Sequence, residues 1–203
     1  MNTVGRVIKA ETDALSAFFS RDGLLELAVI SEISKMLANS AGVVTTGVGK
    51  CSYIAGKAAS TFSSLHIPAR YIHPTEASHG DLGSINFVDT LLVYSYSGGS
   101  RELSDIMIFC RNFNIEVIGI TAGDRGSLVF DLSDYVIKLP ILNGDGWEYI
   151  APTISTTLML AISDAMAVAA AEEKGIELDD FLDVHPGGLL GKMPRGCGQK
   201  KRL

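Results

Sequence analysis

The sequence predicts an α/β fold: a doubly wound, five-stranded parallel sheet flanked by helices. Three observations carry this. From residue 42 onward, short β-rich runs alternate with stretches of helical periodicity. The runs are apolar and β-branched without a polar face, as in strands covered on both sides. The Gly-, Ser- and His-rich segments fall directly after strands, where open parallel sheets bind their ligands.

Two helices precede this alternation. Over residues 3–20, Val4, Val7, Ile8, Thr12, Leu15 and Phe18 recur at helical spacing, and over about 23–38 Leu25, Leu27, Ile30, Ile33 and Leu37 do the same. GVVTTG at 42–47 reads as the first strand, followed by a helix to about residue 65. The remaining strands fall at 70–73, 90–94, 116–121 and 135–139. A helix over 102–113 separates the third from the fourth, and a long apolar helix spans about 154–175.

The bulk numbers bound the function. The 203 residues are 47% hydrophobic and 20% charged, which is globular, not disordered. A net charge of −6, from 17 basic and 23 acidic residues, gives no electrostatic footprint for nucleic acid. The one basic cluster, Lys200-Lys201-Arg202, reads as a frayed tail. Cys51, Cys110 and Cys197 are odd in number and show no zinc spacing, so a reduced, cytoplasmic protein without a metal is expected. No signal pattern opens the chain, and no apolar run is expected to reach transmembrane length, the longest being interrupted by Asp164. No membrane partner is therefore expected.

Four segments hold chemistry-bearing residues. Ser95-Tyr96-Ser97-Gly98-Gly99-Ser100-Arg101-Glu102 lies between a strand and a helix. Serine hydroxyls, close-approaching glycine backbone and free N–H groups at a helix start suit a phosphate; a plain turn with a serine N-cap is the alternative. Gly47-Val48-Gly49-Lys50-Cys51-Ser52 lacks the third glycine of a dinucleotide turn, and its lysine could meet an anion or simply start a helix in solvent. The third, residues 73–81, sets His73, Glu76, His79 and Asp81 on one post-strand segment, suited to proton transfer, a metal or capping. The fourth, His185-Pro186-Gly187-Gly188-Leu189-Leu190-Gly191, reads as turn geometry around one histidine. Pro152-Thr153-Ile154-Ser155 supplies hydroxyls for the cap of the long helix and further donors to a ligand, while Ser163 and Asp164 read as a polar pair satisfied by packing.

Taken together, GVGK, HPTEASHGDLG, SYSGGSRE, APTISTT and HPGGLLG resemble the sugar isomerase (SIS) domain family, and within it the D-arabinose 5-phosphate isomerases. The resemblance implies a five-stranded parallel sheet and interconversion of D-ribulose 5-phosphate with D-arabinose 5-phosphate. It requires no cofactor, and the product feeds synthesis of Kdo for lipopolysaccharide or capsule. Carried over by motif, the catalytic set falls on Lys50, His79, Glu102 and His185. The phosphate and substrate contacts fall on Gly49, Ser52, Ser95, Ser97, Gly98, Ser100, Thr153 and Ser155. A homotetramer with a site built from more than one subunit is implied, and a nucleotide sugar of the CMP-Kdo kind is compatible as a feedback ligand. The sequence departs from the family loop SNSGES at Tyr96 and Gly99, and Cys51 stands at a usual serine position. Many relatives carry C-terminal CBS modules; here a single SIS domain over 1–193 and a disordered tail over 194–203 are expected.

Isomerisation between C1 and C2 needs a base for the carbon-bound proton, groups that move oxygen-bound protons, and charge stabilisation of a cis-enediolate. Glu102 is expected as the base, His185 and His79 as the oxygen-proton carriers, and Lys50 as the enediolate stabiliser. The competing readings are an isomerase of another phosphosugar and a non-catalytic sugar-phosphate sensor.

Overall fold

In the computed structural model, which describes residues 1–20, 24–141, 151–188 and 192, the chain forms one α/β unit. Its elements run α1 (Thr3–Phe18), α2 (Leu24–Asn39), β1 (Gly42–Gly47), α3 (Lys50–Ser64), β2 (Ala69–Tyr71), α4 (Pro74–Ala77), β3 (Asp89–Tyr94), α5 (Ser104–Asn112), β4 (Glu116–Thr121), α6 (Leu128–Leu132), β5 (Tyr135–Lys138), α7 (Ile154–Lys174) and α8 (Leu178–Asp183). Short 3₁₀ turns lie at Asp81–Ser84 and Arg101–Leu103. The five strands are parallel, in the order β2-β1-β3-β4-β5.

Alternation along the central strands fills two cores. Val43 and Leu92 point to one face and Val44, Leu91 and Val93 to the other, all fully buried. On the first face α1, α2, α3 and α7 contribute Phe18, Leu37, Phe62, Leu158, Ile162 and Met166. On the second, α4, α5 and α6 contribute Ala77, Ile106, Met107 and Val129. Each such leucine, isoleucine or phenylalanine stabilises the fold by about 1.5–3 kcal/mol relative to exposure.

α7 corrects the expectation that no apolar run reaches transmembrane length. Its 21 residues are long and apolar enough by length and composition, with a mean hydropathy of 1.6. More than half of that stretch, 56%, is buried inside the fold, against α2 and α3. Asp164 does not interrupt the helix, because it pairs with Lys57 of α3. Ser163 donates to the Met159 carbonyl (2.6 Å), so the buried Tyr94 hydroxyl donates to Ser163 (2.9 Å).

Other boundaries moved for local reasons. The helix expected over 102–113 begins as the Arg101–Leu103 3₁₀ turn and becomes α5 only at Ser104. The strand expected at 70–73 is Ala69–Tyr71, because His73 already caps α4, its Nδ1 accepting the Thr75 N–H (3.3 Å). The first helix stops at Phe18, short of residue 20. α3 ends in a left-handed residue, His66 (φ 57°), which lets the Ile67 N–H reach the Phe62 carbonyl (3.0 Å). That position is ordinarily glycine or asparagine, and a side chain there costs roughly 1–2 kcal/mol. The tail over 194–203 and residues 189–191 of the HPGGLLG run lie outside the described residues.

Candidate active site

β1 and β3 are neighbours, yet their chains leave the sheet over opposite faces: α3 returns to β2 and α5 to β4. Gly47 stands opposite Tyr94, so the carboxyl ends of the two strands are flush. The crevice between the diverging loops is the topological switch point. Lys50, the first residue of α3, and the 95–100 loop follow its two strands, the lysine exposed.

Close approach draws these segments together. A Cβ at Gly47 would lie 3.0 Å from the Cys51 carbonyl and 3.1 Å from that of Tyr94. The start of α3 is therefore pressed onto the end of β3, and only glycine fits without displacement. The half-buried Cys51 thiol packs on Met159 of α7 (Sγ to Sδ 3.9 Å). Burial pushes its pKa up, against a smaller lowering by a hydrogen bond with the Tyr96 backbone. Ser52 donates to the Gly49 carbonyl (2.7 Å), closing the first turn around Lys50.

The serine loop is clasped from the β4 side. The Tyr96 carbonyl accepts from the Ala122 N–H (2.9 Å) and the Thr121 hydroxyl (3.2 Å), and the Gly98 carbonyl from the Val129 N–H (2.9 Å). Gly98 is left-handed (φ 70°), and a Cβ there would lie 2.7 Å from Ser127 Oγ. Ser95 is buried, with its Oγ 3.2 Å from that of the half-buried Ser100. Ser97 is exposed, its Oγ accepting the Gly99 N–H (3.3 Å). Ser95 thus braces the loop, while Ser97 and Ser100 keep solvent access. The Tyr96 ring packs against the α7-side core and its hydroxyl donates to the Pro140 carbonyl (3.2 Å).

Glu102 is exposed in its 3₁₀ turn, not in the first turn of an α-helix, so the dipole expected behind it belongs to a helix starting two residues later. α4 packs against this turn and against α5, where Ser78 donates to Asp105 Oδ2 (2.7 Å). His79, the next residue, is exposed beside that junction. Thr153 and Ser155 lie at the start of α7, Thr153 half-buried and Ser155 buried, where Thr156 closes the turn onto the Pro152 and Thr153 carbonyls (3.1 and 2.9 Å). The carboxyl end of the sheet thus carries Lys50, the serine loop, Glu102 and His79.

His185 is elsewhere. His66, beyond the far end of α3, bonds through Nε2 to the Asp180 carbonyl of α8. α3, with Lys50 as its first residue, runs fifteen residues to that end, about 22 Å of helix. His185 follows α8 there, its Nδ1 2.7 Å from the Phe181 carbonyl and its ring stacked on Phe181 (centroids 4.0 Å apart). A carbonyl only accepts, so Nδ1 carries the proton and Nε2 of the neutral ring is the bare acceptor.

Sequence reasoning missed Thr121 and Ser127, which support the serine loop. The run Thr121-Ala122-Gly123-Asp124-Arg125-Gly126-Ser127 follows the fourth strand, so attention to residues just after strands would have found it.

Residues 36–169 match the SIS domain family. The chain belongs to that family. Among curated relatives, this SIS domain is 36% identical over 161 residues to arabinose 5-phosphate isomerase KpsF of Escherichia coli, covering 79% of this chain and 50% of the relative. It is 33% identical over 199 residues to arabinose 5-phosphate isomerase KdsD of Pseudomonas aeruginosa, covering 95% and 58%. The chain therefore spans about half the length of the curated relatives it matches. A solved structure of an Escherichia coli CFT073 protein in complex with arabinose 5-phosphate superposes with a TM-score of 0.79 at 30% identity, covering 92% of this chain and all (100%) of that one.

Proposed function

We propose that this SIS domain is an aldose–ketose isomerase that interconverts D-ribulose 5-phosphate and D-arabinose 5-phosphate through a cis-enediol(ate). The observation that carries the reading is the switch-point crevice, where Lys50 and Glu102 flank a serine loop clasped from the β4 side. Relatives bearing the name arabinose 5-phosphate isomerase over most of this chain support it.

Ser97 and Ser100, with the loop N–H groups, bind the phosphate; Gly49, Ser52 and Thr153 line the approach, and the buried Ser155 supports it from the start of α7. Remote phosphate binding fixes a flexible sugar in a reactive pose, so its energy is spent on rate as well as affinity. Glu102 moves the proton between C1 and C2, and Lys50 stabilises the developing enediolate oxygen. His79 and His185 move the oxygen-bound protons, one of them assisting ring opening of the aldose. Because His185 belongs to the opposite end of its own chain, it serves the crevice of a neighbouring copy, in a homotetramer. The reaction needs no cofactor and is cytoplasmic, in keeping with the free thiols Cys51 and Cys110. Its product feeds Kdo synthesis for lipopolysaccharide or capsule, and a nucleotide sugar of the CMP-Kdo kind competes for the same crevice.

The test is a coupled assay offering ribulose 5-phosphate beside fructose 6-phosphate and sedoheptulose 7-phosphate. Turnover of ribulose 5-phosphate alone is expected, and Glu102→Gln should lower kcat ~10²–10⁴-fold with the fold intact. Inactivity on all three substrates would overturn the enzymatic reading in favour of a sugar-phosphate sensor. Full activity of Glu102→Gln would overturn the assignment of the base.

A further inference from the structure

His66 breaks a local rule. It holds the left-handed position after α3 (φ 57°), where glycine or asparagine is the ordinary occupant. Departures of this kind are expected where a gain elsewhere offsets them. Here the gain is visible. The ring reaches α8 and donates from Nε2 to the Asp180 carbonyl.

α8 needs such a tie. It has six residues, too few to be stable alone, and Leu182 is its one buried side chain. A capping box between Glu177 and Asp180 closes its first turn, and the Glu177 N–H donates to Asp180 Oδ2 (2.8 Å). Asp180 is thus shared: its side chain caps α8 and its carbonyl meets His66. One residue on, Phe181 supplies both the carbonyl that holds His185 Nδ1 and the ring that stacks on the imidazole. A continuous chain of contacts runs from the end of α3 to the presented Nε2 of His185.

We propose that His66 is a positioning residue for His185: by pinning α8 at Asp180, it fixes the Phe181 support that holds the catalytic imidazole in its Nδ1-protonated tautomer. This rests on the isomerase reading above. His66 itself touches no substrate.

The closing experiment uses His66→Gly, which relieves the left-handed backbone while deleting the ring. The variant should melt no lower than wild type and keep its assembly state. Its kcat should nevertheless fall about tenfold at nearly unchanged KM, within the ~10²-fold that a misplaced catalytic group costs. His66→Gln, whose amide nitrogen reaches nearly as far as Nε2, should restore most of the rate. In a His185→Asn background, His66→Gly should have no further effect. Nitrogen-15 spectra of the histidine rings should show His185 shifting from the Nδ1-protonated form toward a tautomer mixture in His66→Gly. Unchanged kcat in His66→Gly beside an impaired His185→Asn would overturn this inference alone, as would a loss that tracks dissociation of the copies. Full activity of His185→Asn would remove the assignment of His185, and this inference with it. An inactive wild-type chain would instead count against the isomerase reading.

Discussion

Substituting Gly98 by alanine tests how the serine loop is seated. Two costs add at this position. The residue has φ 70°, and an alanine held there costs roughly 1–2 kcal/mol. Its Cβ would also lie 2.7 Å from Ser127 Oγ and 3.0 Å from Thr121 Oγ1. Overpacking of that kind costs about 1–3 kcal/mol, and the lower half applies because a serine hydroxyl can rotate. The sum is about 2–4 kcal/mol, or ~4–16 °C in Tm for a domain of this size. Ser127 Oγ is buried without a hydrogen-bond partner. Ser127→Ala alone should therefore be neutral or stabilising, since an unsatisfied buried hydroxyl is removed and no bond is lost. The double variant should recover the Ser127 share of the clash and keep the backbone cost, giving a favourable coupling of about 1 kcal/mol. Thermal and urea unfolding of the four proteins measure this. In the isomerase assay Gly98→Ala should raise KM for the phosphosugar, because the loop's N–H groups move with it. A wild-type melting temperature for Gly98→Ala, or strict additivity in the double variant, would refute the account of how α6 seats the loop.

Two further predictions concern pH and assembly. Burial pushes the Cys110 thiol up to about 12 from an ordinary 9.0, with Asp89 and Asp134 adding to the rise. Between those values the folded thiol keeps a proton that the unfolded one has lost, so stability falls as pH rises from about 9 toward 12. Cys110→Ala should flatten that alkaline slope in denaturant titrations, and an identical slope would refute the assignment. The second uses subunit exchange. Glu102→Gln and His185→Asn should each be nearly inactive alone, whereas a mixed oligomer should regain about a quarter of wild-type activity, since one crevice in four then pairs an intact Glu102 with an intact His185. No recovery, with exchange verified by mass spectrometry, would rule out a shared site.

The strands were the most legible part. GVVTTG and EVIGIT are bounded by polar or glycine residues, and β1 and β4 have the expected limits of 42–47 and 116–121. The crevice was legible for the same reason: a parallel sheet puts its ligand chemistry after its strands, and Lys50, His79 and Ser95–Glu102 all follow one. Short helices were not legible. α4, α6 and α8 have four, five and six residues, less than the window over which helical periodicity can be seen. The Glu177/Asp180 spacing was the one signal available for α8. Nor could local pattern separate a serine that braces, such as Ser95, from one that stays exposed, such as Ser97; that depends on burial, which follows only from the folded loop.

The placement of His185 follows from chain geometry. α7 starts beside α3 at the carboxyl end of the sheet and its 21 residues carry the chain about 31 Å toward the amino end. From Gly175 to His185 the chain has six helical residues and four others, a reach of at most ~23 Å. Leu182, buried at 1% exposure, and the His66–Asp180 bond hold that segment where it arrives. His185 cannot return to the crevice of its own chain without breaking both anchors. Either it meets a crevice on another copy, or it takes no part in the chemistry. Mixed oligomers of Glu102→Gln and His185→Asn decide between these, because only a site shared between copies can be rebuilt from two inactive chains.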